Sequence, residues 1–133
     1  MSAPVGASAT DKPQTFDLPW PISTNAMWRA VRVGDHATNI LTAKAREWKE
    51  AAADVLWLQR PQSVRGQVEL LITLVSPTRR RFDLDNRAKI VLDLLVACGV
   101  IEADDSSIVR EVRIAIGDHA AGARVTVTPV GWL

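Results

Sequence analysis

The sequence predicts an α+β domain in which a mixed β-sheet is packed by two main helices, in the order β-α-β-α-β-β. Three stretches carry that expectation. Residues 68–75 place Val68, Leu70, Ile72 and Leu74 on one wholly apolar face and the mixed set Glu69, Leu71, Thr73 and Val75 on the other, the pattern of a strand. Residues 41–58 set Leu41, Ala45, Trp48, Ala52, Val55 and Leu58 at helical spacing, with Lys44, Arg46, Lys49 and Glu50 mostly elsewhere. Residues 90–98 are apolar except for Asp93 and stop at Gly99, as a largely buried second helix would.

The remaining elements fit around these. Phe16 and Leu18 alternate with polar neighbours over 15–18, a short strand that Pro19 and Pro21 end. Residues 26–38 suggest a hairpin or loop, with Gly34-Asp35 suited to the turn. Arg60-Pro61 closes the first helix. The second helix is expected to start with Asp85 as its N-cap and to run to Cys98. Two more strands follow: Val112, Ile114 and Ile116 alternate with Glu111, Arg113 and Ala115, and Val125 and Val127 alternate with threonines over 124–128. Residues 117–122 make the turn between them.

The chain of 133 residues suits one domain, residues 15–133, behind a small, polar N-terminal tail expected to be disordered over 1–14. That tail has no apolar core of the secretory kind, and no apolar run approaches the ~18 residues of a membrane span. A cytoplasmic protein is expected. The one cysteine, Cys98, excludes an internal disulfide and a multi-cysteine metal site, and reads as a small buried hydrophobe. Net charge is only +1, so a nucleic-acid surface must rest on local clustering rather than on overall basicity.

That clustering occurs at RRRFDLDNRAKIVLDLL, followed by GVIEADDSS. If residues 79–85 are extended, Arg79, Arg81, Asp83 and Asp85 project to one side. A helix starting at Asp85 then stacks Lys89 and Asp93 on one stripe leading back to the aspartates. Hydrolysis of a phosphodiester needs a nucleophile raised from water and relief of charge growing on the phosphate, both of which a divalent cation supplies. Mg²⁺ takes oxygen ligands, usually a few carboxylates. Two same-face aspartates, joined by a third from the Asp104-Asp105 loop, supply them if that loop doubles back. A nearby lysine can hold the phosphate or stabilise the leaving oxyanion. Taken singly, each piece has a plainer reading: a helix cap at Asp85, an exposed Lys89–Asp93 pair, a polar loop at 104–107, and arginines that simply pair with the aspartates.

Other motifs are excluded by spacing. A calcium loop starting at Asp83 would need an oxygen ligand at Arg87, glycine at Ala88 and glutamate at Leu94. No Walker A loop or G-x-S-x-G elbow is present. His36 and His119 sit in expected turns and read as surface residues.

At these positions the sequence resembles the RusA family of Holliday-junction resolvases. Leu18 to Pro21 with Ser23 and Asn25 resemble the family's LPWPPS-x-N element. Arg80, Arg81, Asp83, Leu84, Asp85, Asn86 and Lys89 resemble its R-R-x-D-L-D-N-x-x-K core. Asp93 and Leu94, Gly99 and Asp104-Asp105 match the elements that follow. Phe82 stands where the family has a basic residue, and Ala103 is an extra residue before the acidic pair.

The resemblance implies a RusA-like fold and a homodimeric, Mg²⁺-dependent endonuclease, with Mn²⁺ as a substitute, that nicks two symmetry-related strands of a four-way DNA junction in recombination and repair. It implies Asp83, Asp85 and Asp105 as catalytic metal ligands, with Asp104 as the alternative to Asp105, and Lys89 as the catalytic lysine. Arg79, Arg80, Arg81 and Asn86 are the expected DNA contacts, with Arg29, Arg32, Lys44 and Arg46 as candidates for a second rim. The alternatives are a non-catalytic, structure-selective DNA-binding module and a nuclease for other branched DNA.

Overall fold

A computed structural model describes residues 9–132. The apolar alternation of residues 68–75 becomes strand β4 (Val68–Val75), whose even-numbered side chains are buried. Around it assemble β1 (Gln14–Leu18), β5 (Val109–Ile116) and β6 (Gly122–Pro129) in the order β1-β6-β4-β5. β5 runs parallel to β4, and β6 runs antiparallel to both β4 and β1. Two parallel neighbours need a long crossover, and helix α2 (Ala88–Ala97) provides it between β4 and β5. The 117–122 segment therefore carries the chain past β4 rather than making a simple hairpin. Phe16, Val125, Ile72 and Ile114 form one row across the four strands on the core face.

The expected α+β class and element order are those observed. The 26–38 region is a hairpin, β2 (Trp28–Val33) and β3 (His36–Leu41), turning at Gly34-Asp35 and forming a separate two-stranded sheet. Leu41 thus belongs to a strand, and helix α1 spans Ala43–Leu58. Thr42 decides the boundary: its hydroxyl accepts from the Ala45 N–H and donates to Ala26 O, capping the helix and tying it to the hairpin's entry. The buried stripe of α1 is Ala45, Trp48, Ala52, Ala53 and Leu56. Val55 and Leu58, expected in it, are 36% and 84% exposed, because steps of three residues from Ala52 carry them off the face on which Leu56 stays buried.

The second helix starts differently from the expectation. Asp85 is the first residue of a 3-10 turn, Asp85–Arg87, and not an N-cap. α2 then buries Ala88, Ile90, Val91, Leu94 and Leu95, and Gly99 at φ +74° ends it. Cys98 is buried, and burial pushes its thiol pKa up. Of the expected 1–14 tail, residues 1–8 lie outside the described residues. Ala9 bridges Ser63, and β1 starts at Gln14.

Gly122 begins β6 at φ +134°, where a Cβ would collide with the backbone oxygen of Leu18. Both the conformation and the close approach exclude a side chain. Gly122→Ala is expected to cost more than about 1 kcal/mol, read as a fall in Tm of several degrees, with β1 pairing affected first.

Candidate active site

The D-L-D-N segment is held by the N-terminal LPWP element. Arg87, third in the 3-10 turn, donates from a terminal guanidinium nitrogen to Pro21 O at 2.8 Å, and its guanidinium carbon lies 5.1 Å from the Trp20 ring centroid. Phe82 meets the same indole edge-on at 4.8 Å. Trp48 in α1 donates its indole N–H to Trp20 O at 2.8 Å, and Thr24 donates its hydroxyl to Asn86 O at 3.1 Å. Trp20 is thus clamped between α1 and the acidic segment. Phe82, the departure from the basic run, has a packing role here. Partial burial lowers the pKa of Arg87 from its ordinary value, yet arginine stays a cation at neutral pH. Arg87 is the positioning residue that spacing alone did not reveal. Its partners are more than sixty residues away, and no local period encodes contacts of that range.

Asp83 and Asp85 are both exposed. Leu84 between them is helical, with φ −56° and ψ −47°. The two carboxylates are therefore not presented by strand alternation, which corrects that part of the expectation. A tight turn carries them instead: Asn86 N–H donates to Asp83 O at 3.3 Å, and the Asn86 side-chain amide reaches the Asp83 carboxylate at 3.5 Å. Arg79, Arg80 and Arg81 line an open depression with Phe82 and Asp83. They form no salt bridge among the described residues, so the plainer reading in which they pair with the aspartates is not the observed one.

Lys89 is the meeting point. Its Nζ lies 3.1 Å from the Asp93 carboxylate, one turn on, and 2.8 Å from that of Asp104. The loop after α2 does double back, bringing Asp104 to the first turn of a helix ten residues long. The bond from Lys89 holds the Asp104 pKa below the usual carboxylate value, and the same bond raises that of Lys89. Depression of Asp104 means its share of the link is present above the ordinary carboxylate pKa and lost as pH falls through the folded value. Elevation of Lys89 means its share is present below the ordinary lysine pKa and lost as pH rises through the raised value. The tether therefore persists across the neutral range.

Asp105 faces its own loop. Its carboxylate accepts from both the backbone N–H of Ser107, at 2.8 Å, and the Ser107 hydroxyl, and these bonds lower its pKa. The exposed carboxylates are hard oxygen donors of the kind Mg²⁺ takes. As arranged, however, no three acidic, histidine or cysteine side chains among the described residues converge on a metal-binding point. His36 is exposed, as expected, whereas His119 is half-buried and shares a hydrogen bond of 2.9 Å with Thr73. No described helix is long and apolar enough to cross a membrane.

The family model for Endodeoxyribonuclease RusA matches residues 19–128. No curated protein matches the chain. The match starts at the LPWP element that clamps the acidic turn and runs through β6, taking in every residue of the site just described. The chain belongs to the RusA endodeoxyribonuclease family.

Proposed function

We propose that this protein is a Mg²⁺-dependent endonuclease, with Mn²⁺ as a substitute, that resolves four-way (Holliday) DNA junctions by paired symmetric nicks in recombination and repair. One observation carries the reading most of the way. Lys89 draws Asp104 back to the first turn of α2, directly after the clamped Asp83-Leu84-Asp85 turn, which follows three arginines that form no salt bridge among the described residues. A cation, several carboxylates and a basic run thus lie close together along the chain and at the start of α2, which supports the reading alongside the family match.

In this reading Asp83, Asp85 and Asp105 are the catalytic carboxylates and metal ligands, with Asp104 as the alternative to Asp105. Asp105 must release Ser107 to join them. Lys89 exchanges Asp104 for a phosphate oxygen and offsets charge there. Arg79, Arg80, Arg81 and Asn86 hold the DNA backbone, which makes affinity fall steeply with salt. Recognition is by junction shape, since no described element is built to read base edges. The protein works in the cytoplasm as a homodimer, one site facing each of two equivalent strands.

Cleavage of a synthetic four-way junction with Mg²⁺, with Mn²⁺ and with EDTA tests this. Paired nicks are expected with either metal and none with EDTA, together with a Tm that climbs as Mg²⁺ exceeds its dissociation constant. The unconverged carboxylates favour one rival, a non-catalytic binding module in which Lys89 and the acids only brace the loop. Junction binding without nicking in Mg²⁺ or Mn²⁺ would establish it. Nicking confined to flaps in a substrate panel would instead move the substrate to other branched DNA.

A further inference from the structure

The two edges of the main sheet are finished differently. At the β1 edge, the Gln59 side chain accepts from Asp17 N–H at 2.8 Å and donates to Asp17 O at 2.7 Å. Gln14 uses its side chain outward, donating to Gln62 O at 2.8 Å and accepting from Gln62 N–H at 2.7 Å. The outward peptide groups of Asp17 are thus closed off within the chain. β5, the opposite edge, is eight residues long, with neither proline nor lysine, and no hydrogen bond covers its outer side among the described residues. Gly117 N–H donates to Leu74 O in the β4–β5 ladder. By the alternation of that ladder, Glu111, Arg113 and Ala115 turn their peptide groups to β4, and Val112, Ile114 and Ile116 turn theirs outward.

Such an edge is a template for another strand, and folded proteins normally blunt it. This one also carries apolar side chains into solvent: Val112 is 37% exposed and Ile116 64%. Its charges suit a particular occupant. If a second β5 pairs antiparallel about a two-fold axis at Val112, Glu111 stands opposite the second copy's Arg113, and Arg113 opposite its Glu111. Both ion pairs fall on the open face of the sheet. Val112 meets Val112 on the core face, with its outward N–H and C=O making a reciprocal pair of bonds. A register centred one residue later, on Arg113, would set arginine against arginine, which is destabilising.

We infer that the β5 edge is the self-association surface of this protein, joining two sheets into one continuous eight-stranded sheet in the register centred on Val112. The inference rests on the dimeric state proposed above, and not on nuclease activity.

Sedimentation of the full chain across a concentration series tests it, with wild type expected to be a dimer. Glu111→Arg alone and Arg113→Glu alone each turn two attractive pairs into two repulsive ones. Each should weaken the dimer by roughly tenfold or more. The double variant E111R/R113E restores both pairs with their signs exchanged and should recover the wild-type dimer. Circular dichroism on each variant separates lost association from lost folding. A wild type that stays monomeric overturns both the dimer and the β5 edge. A dimer that either single variant leaves intact, or that the double variant fails to recover, overturns the edge alone. A β5 dimer that cuts no junction would count against the nuclease reading and leave this surface standing.

Discussion

Asp85→Asn is expected to reduce junction cleavage by at least ~10³-fold, the scale of losing a group that stabilises charge at the reacting phosphate, while junction binding stays within about twofold. The substitution keeps shape and removes charge. Asp85 is exposed in the 3-10 turn and caps nothing, so the fold should change by no more than roughly 0.5 kcal/mol. DNA affinity in the proposed reading comes from arginines, and removing a negative charge beside a phosphate does not oppose it. A single-turnover cleavage assay beside a gel-shift titration reads both quantities. Cleavage retained by the variant would remove Asp85 from the catalytic set, and parallel loss of binding would make it a structural residue of the turn. Asp83→Asn is the companion measurement, since Asp83 shares the turn through Asn86.

Lys89→Ala should slow the chemical step by about 10²- to 10³-fold with little change in the dissociation constant, because an interaction formed mainly in the transition state appears in the rate and not in ground-state affinity. Lys89 already serves two carboxylates, Asp93 and Asp104. Its side chain is 45% exposed, so the ion pairs themselves contribute little to stability and Tm should move by only a few degrees. Arginine is a poor substitute here, being a planar fork in place of a compact ammonium, and Lys89→Arg is expected to rescue the rate only in part. Equal losses in rate and affinity for Lys89→Ala would reassign the lysine to DNA binding.

Much of the fold was legible because burial is periodic along the chain. The even residues of β4, the apolar run of α2 and the Gly99 stop read the same way in sequence and structure. Boundaries were harder where a local bond outranks periodicity. Leu41 has helical spacing with Ala45, but the Thr42 cap returns it to β3. Val55 and Leu58 also sit at helical steps, yet steps of three from Ala52 leave the face on which Leu56 stays buried. At the site, the Lys89–Asp93 pair is legible, since both lie on one helix one turn apart.

What the sequence alone determined is the set of strands and helices, the family, and the inventory of acids, lysine and arginines gathered within two short stretches. These follow from side-chain chemistry and from repeats of two and of three to four residues, which act over one or two turns. The tertiary structure decided which of those residues meet: Trp20 under Arg87 and Phe82, Asp104 on Lys89, Asp105 turned to Ser107, and β6 between β1 and β4 instead of beside β5. Contacts between segments far apart in the chain depend on how whole elements pack, and no local period encodes them.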